Sequence, residues 1–350
     1  CSTHCIATLW HNISTMQTHS ARFRTGAILL LIPCIMAFIG LDLLLESKLR
    51  IFEQTHSHHT RASAPDPFPV SVNAYEQTID ESSEVDHFYQ QQLAHSSDSP
   101  DRWWNQLAAV FADRSWYQNL ASPVSRIIVI WPGERKEEVA KNIGDILRWD
   151  AADQAEFMRL MEATAPVIRE GNYFPGQYTT HRYATPADVA DTLRESFTNQ
   201  VLVRYTPEVT SRVPLEDTLI IASLIEREAS DFENMREVSG VIWNRLFIDM
   251  PLQLDASLQY VRGSNPSEPS GWPAVRPQDK FLPSPYNTYE MTGLPPAPIA
   301  NPSIEAIIAA LNPVVTDCLY YFHTAQGDYH CSETYEEHVS KLRARYGRGS

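Results

Sequence analysis

ASLIEREAS, Ala222–Ser230, places two glutamates two positions apart inside a long helical pattern, EDTLIIASLIEREASDFENMREVSGVIWNRL, which fills residues 216–246. At about 100° per residue, Glu226 and Glu228 point about 200° apart, to nearly opposite faces, and serve one ligand only if the helix ends between them. The face of Glu226 carries Leu219, Ala222, Ser223, Ala229 and Ser230, mostly small side chains that leave room for a ligand. Glu228 lies in a stripe of Ile221, Leu224, Ile225, Phe232 and Met235, which faces a core. A carboxylate there needs a partner, because leaving a buried charge unpaired costs several kcal/mol. Arg245, set among Val238, Val241 and Ile242, is the expected one, giving a buried Glu228–Arg245 pair. Two helices are expected, meeting near Asp231 or Gly240. By residue type alone Glu226 is a solvated helix charge or an acid presented to a ligand.

The surroundings narrow the class. Over 350 residues, 28 Lys+Arg stand against 43 Asp+Glu, a formal net charge of −15 that argues against a nucleic-acid partner. The 43% hydrophobic content supplies a core, and the length allows two domains. GAILLLIPCIMAFIGLDLLL, residues 26–45, has Asp42 as its only charge and the length of a bilayer core, so it reads as a transmembrane helix. It is longer than a signal-peptide core and continues into LESKLR, which favours an uncleaved anchor. Arg22 and Arg24 before the span balance Lys48 and Arg50 after it, so basic residues leave the orientation open. Residues 1–25 read as a cytoplasmic leader, with Met16 as a plausible start and 1–15 as a non-native extension.

Residues 46–123, rich in Ser, His, Asp and Pro over much of their length, read as a tether and membrane-proximal segment. Within them WWNQLAAVFADRSWYQNL, residues 103–120, has helical spacing suited to packing on the adjoining domain or the bilayer surface. His56, His58 and His59 read as solvated linker, and neither a metal nor another cofactor is expected. RIIVIWPGERKEEVAKNIGDILRW gives a strand, a Pro-Gly turn and a helix with Val139, Ile143 and Ile146 or Leu147 inward. A second helix, DQAEFMRLM, completes a strand-helix-helix module over residues 124–178. EGNYFPGQY interrupts regular helix. Thr185 as N-cap and Pro186 at the first helical position then start the next helix, in a catalytic domain spanning 179–350. The fold class is α+β. Cys318 and Cys331 flank LYYFHTAQGDYH, a hairpin turning at Gln326 and Gly327. They read as two buried free thiols, with a cross-strand disulfide as the alternative in an oxidising compartment.

A series of motifs, in order over Arg126–Tyr346, resembles the endolytic murein transglycosylases, the MltG or YceG-like family. EGNYFPGQY is similar to that family's EG-x-LFPDTY, and ASLIEREAS to its AS-I-EKE helix. WNRL and MPLQLDASLQY resemble its NRL and L-Q-x-D-P-T-x-x-Y stretches. SPYNTYEMTGLPPAPIANPSIEAIIAALNP resembles its YNTY, GLPP-x-PI and NP signals, and YYFHTAQGDYHCSETYEEHVSKL its closing hairpin and helix. The chain departs from the pattern at Ala256, where proline is usual, and at Cys331, where an aromatic is common.

The resemblance implies a lysozyme-like glutamate helix with Glu226 as the catalytic acid, and Glu228 and Arg245 as supporting residues, Glu228 being the second candidate for the acid. It implies a substrate cleft from Gln253, Asp255, Tyr286, Asn287, Tyr289, Ser332, Thr334 and Glu337, each of which also reads as a loop or hairpin cap. The module would be LysM-like. The implied substrate is the peptidoglycan glycan strand, cut between N-acetylmuramic acid and N-acetylglucosamine with a 1,6-anhydro end, which would terminate nascent strands. One carboxyl performs both proton transfers in that reaction, whereas ordinary glycosidases use two, about 5 to 5.5 Å apart when retaining. Such an acid needs a pKa raised by desolvation, here from Leu219 and a closing loop, YNTYEMTGLPP. The resemblance further implies a single-pass inner-membrane protein with its catalytic domain periplasmic or otherwise outside the cytoplasm, and peptidoglycan synthases as partners. Two alternatives stay open: a hydrolytic muramidase with Asp255 as second carboxylate, and a noncatalytic wall-binding scaffold.

Overall fold

The structure is a computed structural model that describes residues 65–80, 82–97, 124–163 and 170–347. The leader, the transmembrane reading of 26–45, the His56–His59 tract and the helix expected over 103–120 lie outside the described residues. Among those described, no helix is long and apolar enough to cross a membrane, and no group of three or more His, Cys, Asp or Glu is placed to hold a metal.

In chain order, β1 (Val72–Asn73) and β2 (Thr78–Ile79) form a short hairpin, followed by α1 (Glu84–Ser97). Part of the expected tether is therefore folded: Phe68, Val72, Val85 and Phe88 are buried in the main core. The composition concealed this, because four apolar anchors suffice among polar neighbours.

β3 (Ser125–Ile130), α2 (Lys136–Leu147), α3 (Ala151–Glu162) and β4 (Gly176–His181) form the next unit. The strands pair antiparallel, from Ser125 with His181 to Ile130 with Gly176. The arrangement is strand-helix-helix-strand, so the boundary expected at 178 falls inside β4. Val139, Ile143 and Leu147 point inward onto Phe157, Met161 and Tyr173, and Val189 and Leu193 of α4 (Pro186–Gln200) join that core. Thr185 caps α4 through the Asp188 amide, with Pro186 in its first turn as expected.

After the short α5 (Pro207–Arg212) comes α6 (Leu215–Glu228), with Glu216 and Asp217 in its first turn and Arg227 in its last, as the helix dipole favours. It ends at Glu228 because Ala229 turns extended, with φ −136° and ψ 151°. Asp231 then caps α7 (Phe232–Phe247) by accepting from the Asn234 amide at 3.0 Å. The break thus falls near Asp231, and α7 runs through Gly240, where a Cβ would meet the Val314 carbonyl oxygen at 2.5 Å. α8 (Asp255–Gly263) follows, and then α9 (Ile304–Leu311), which buries Ala306 to Leu311 against α6 and α7.

The chain closes with β5 (Tyr320–His323) paired antiparallel to β6 (Tyr329–Ser332), then α10 (Tyr335–Tyr346). Gly327, at φ 92°, supplies the left-handed residue of the turn. Cys318 and Cys331 form a disulfide with Cα atoms 5.8 Å apart, which corrects the free-thiol reading. The pairing of the Leu319 amide with the Ser332 carbonyl at 2.9 Å draws these two chain segments together.

Candidate active site

The opposite faces expected for Glu226 and Glu228 lead to two different environments. Glu226 Oε2 accepts from the backbone N–H of Ser303 at 2.8 Å and from its hydroxyl at 2.5 Å. Ser303 is the N-cap of α9, so this carboxylate sits at the positive end of a helix dipole. Burial pushes its pKa up, while both Ser303 hydrogen bonds act to lower it.

Glu228 is the last residue of α6, at the negative end of that helix's dipole. Its Oε2 accepts from the Tyr321 hydroxyl at 2.9 Å, and Oε1 receives a long contact from the Ala256 amide at 3.5 Å. Burial raises its pKa first, and Asp255 raises it further; the hydrogen bonds from Tyr321 and Ala256, together with Arg227, act in the opposite direction. Burial thus raises the Glu228 pKa beside an opening of about 520 Å³.

That cleft is also lined by Gln253, Asp255 and Tyr289, three of the residues expected there. Asp255 Oδ1 accepts from the Tyr289 hydroxyl at 2.6 Å. Gln253 sits at φ 52° and donates its amide to the Thr288 carbonyl at 2.9 Å, which ties the two loops together. Asn287 is 0% exposed, and its side chain holds the loop by donating to the carbonyls of Lys280 and Leu282 at 3.0 and 2.9 Å. Tyr286 packs on Tyr260, ring centroids 4.8 Å apart. Asn287 and Tyr286 thus support the cleft rather than line it.

The third expected cluster takes local structural roles, next to Tyr335 and His338, which line the cleft. Ser332 is buried in β6, Thr334 caps α10 through the Glu337 amide, and exposed Glu337 pairs with Lys341 at 2.6 Å. The Glu228–Arg245 pair does not form. Arg245 instead donates to the carbonyls of Leu319, Pro251 and Leu252 at 2.6, 3.2 and 2.6 Å, and its guanidinium lies 5.3 Å from the Tyr320 ring centroid. Backbone carbonyls left over at the loop and hairpin take the donors that the sequence assigned to a carboxylate.

Sequence reasoning missed Tyr321, Ser303 and Asn301. The alternation in YYFH offered a signal for Tyr321, since it places Tyr321 and His323 on one face of β5. Asn301, 0% exposed, accepts from the amides of Gly133 and Tyr173 at 2.8 and 3.0 Å, and donates its own amide and Nδ2 to the Glu134 carbonyl at 2.9 and 2.8 Å. No local pattern announces that role.

A desolvated carboxyl at a helix end, facing an open cleft lined by hydroxyls, an amide and aromatic rings, defines a mixed α+β domain equipped for polar ligands. The sequence model of the YceG-like family matches residues 103–344, and the chain belongs to that family. A Bacillus subtilis relative named endolytic murein transglycosylase is 34% identical over 178 residues, covering 51% of this chain and 48% of that protein. A Streptococcus pneumoniae relative of the same name is 30% identical over 184 residues, 52% of this chain and 33% of its own. The chain thus spans about half or less of the length of these curated relatives. A solved YceG-like protein from Listeria monocytogenes superposes with a TM-score of 0.53 at 26% identity, over 62% of this chain and 75% of that one.

Proposed function

We propose that the protein is a membrane-anchored, endolytic lytic transglycosylase of peptidoglycan, held by residues 26–45 and acting outside the cytoplasm, and that Glu228 is its acid. The family membership and the names of the relatives support the activity. The observation that carries the assignment to Glu228 is its carboxyl, desolvated and held by Tyr321 at the wall of the 520 Å³ cleft that Gln253, Asp255 and Tyr289 also line.

Protonated Glu228 gives its proton to the glycosidic oxygen between N-acetylmuramic acid and N-acetylglucosamine as the C1–O bond breaks and positive charge develops at C1. The resulting carboxylate takes the proton of the muramyl 6-hydroxyl while O6 closes on C1, forming the 1,6-anhydro ring. The acid ends protonated, and no water is consumed.

A second reading gives the acid to Glu226, whose raised pKa and place on an adjoining pocket of about 420 Å³ favour it. Its two hydrogen bonds from Ser303 and the dipole of α9 favour the ionised form, which suits a cap better than an acid. Hydrolysis with Asp255 as second carboxylate would release reducing ends instead. Purified peptidoglycan incubated with wild type, Glu226→Gln and Glu228→Gln, followed by mass spectrometry, separates these readings. Anhydro ends from wild type and Glu226→Gln, with none from a folded Glu228→Gln, support the proposal. Activity lost only in Glu226→Gln, hydrated ends, or no cleavage at all would each overturn it.

A further inference from the structure

The disulfide takes no part in the chemistry of the cleft, yet it ties together two segments of its wall. β5 supplies Tyr320, Tyr321, Phe322 and His323 to the 520 Å³ cleft, and α10 supplies Tyr335 and His338. Each segment has its own anchor. On the β5 side, Asn244 Nδ2 of α7 donates to the carbonyls of Thr316 and Cys318 at 2.6 and 3.1 Å, and Arg245 Nε donates to that of Leu319 at 2.6 Å. On the β6 side, Lys341 Nζ of α10 donates to the Cys331 carbonyl at 2.6 Å. The two sides meet in a ladder of four residues per strand and in the Cys318–Cys331 bond. Cys331 stands opposite Tyr321 in that ladder. A two-stranded hairpin is marginally stable by itself in water, so the covalent bond adds firmness where Tyr321 meets Glu228.

We propose that Cys318–Cys331 is a thiol–disulfide exchange site and works as a redox latch on the hairpin. Oxidised, it holds Tyr321 on Glu228; reduced by a dithiol, it releases the hairpin and slows turnover. The inference rests on the reading of Glu228 as the acid and adds a control to it. Tyr321 is a positioning residue in this scheme.

Both cysteines are half-buried, which leaves the bond open to a small dithiol or to the dithiol of an oxidoreductase. A thiolate of the dithiol attacks Cys318 Sγ, the S–S bond breaks, and Cys331 leaves as the thiolate. A nearby cation lowers a thiol's pKa and makes it the better leaving group, and Lys341 is bound to the Cys331 carbonyl. Lys341 also pairs with Glu337, which offsets part of that effect. The second thiol of the reagent attacks the mixed disulfide and frees Cys318. Two electrons and two protons have then passed to the protein, and the dithiol has become a disulfide. Oxidation runs the same steps backward. A chain made with reduced thiols gains the latch only in an oxidising compartment, which couples full activity to arrival outside the cytoplasm.

The test is turnover of peptidoglycan by the full chain, first oxidised and then reduced with dithiothreitol, with free thiols counted by alkylation and mass spectrometry. Reduction should lower turnover about five- to tenfold, the size of one hydrogen bond to the acid. It should also move the alkaline limb of the pH–rate profile to higher pH, because the Tyr321 hydrogen bond acts to lower the Glu228 pKa. Oxidised glutathione should restore both. The double variant Cys318→Ser, Cys331→Ser keeps Cys1, Cys5 and Cys34 and should show the reduced activity whether or not the reagent is present. If that variant fails to fold, the reduced wild-type chain carries the test. Amide hydrogen exchange reads the same event without cleavage: reduction should speed exchange in β5 and β6 while α6 stays protected. That pattern in a protein that cleaves nothing in either state would keep the released hairpin and remove the cleavage reading. A bond that dithiothreitol does not reduce in the folded protein overturns the latch, as does a pH limb that stays fixed after confirmed reduction. Loss of protection in α6 together with the hairpin overturns it as well, and makes the bond a staple of the whole fold.

Discussion

Glu226 and Glu228 share a helix, a residue type and a desolvated setting, and they differ in what meets each carboxyl. The start of α9 presents a backbone N–H and a hydroxyl to Glu226. The β5–β6 hairpin presents the Tyr321 hydroxyl to Glu228 beside open volume. Burial alone therefore does not make a carboxyl an acid catalyst. A helix N-terminus draws it toward the charged form and a fixed structural role, whereas a helix C-terminus and a neighbouring carboxylate act to raise its pKa.

The sharpest way to break this contrast is Glu228→Gln, expected to lower turnover on peptidoglycan by about 10² to 10⁴, the usual range for a positioned proton donor. The linkage runs in a definite direction. A carboxyl whose folded pKa is raised contributes stability below its unfolded pKa, and that contribution is lost as pH rises through the folded value. Thermal melts should therefore show Glu228→Gln gaining stability relative to wild type as pH is raised through the folded pKa.

Next in size is the hairpin wall itself. Replacing both Cys318 and Cys331 by Ala should lower unfolding stability by about 2 to 4 kcal/mol in denaturant titrations. Activity should fall with it, because Tyr321 lies on the strand that begins just after Cys318.

At the β3–α2 turn, Gly133→Ala should destabilise the protein by about 1 to 2 kcal/mol, read as a shift in the denaturation midpoint, from the left-handed backbone that a Cβ disfavours. The smallest effect expected is for Tyr321→Phe, about 0.5 to 1.5 kcal/mol in the activation barrier. The Tyr321 hydrogen bond lowers the Glu228 pKa, so its loss should move the alkaline limb of the pH–rate profile to higher pH. A limb that stays fixed while Ser303→Ala moves it would transfer the acid to Glu226.

Much of this arrangement is legible in one dimension, and the illegible part has a common physical cause. Helical angle separates the two glutamates, and the residues of α2 that face inward follow from period alone. Thr185 and Pro186 mark the start of α4 because capping is local. The partners of the glutamates are not local. Ser303 lies 77 positions from Glu226 and Tyr321 lies 93 from Glu228, distances over which no periodicity speaks. The expected Glu228–Arg245 pair matched charges correctly in kind but ignored the carbonyls of Pro251, Leu252 and Leu319, which compete for the same guanidinium. The resemblance placed Ser332, Thr334 and Glu337 in the cleft, and sequence order does not show the local roles they take, Ser332 buried in β6, Thr334 capping α10 and Glu337 pairing with Lys341.

Asn301 carries a mechanical consequence. Every backbone and side-chain polar group of this residue bonds to the strand-helix-helix-strand unit, through Gly133, Glu134 and Tyr173. It sits two positions before Ser303, which holds Glu226. The joint behaves as a dowel through two boards, so the spacing between the β3–α2 turn and the end of α6 is set by the fold and does not depend on a hinge. A long polymer laid across both parts would be gauged against a fixed length.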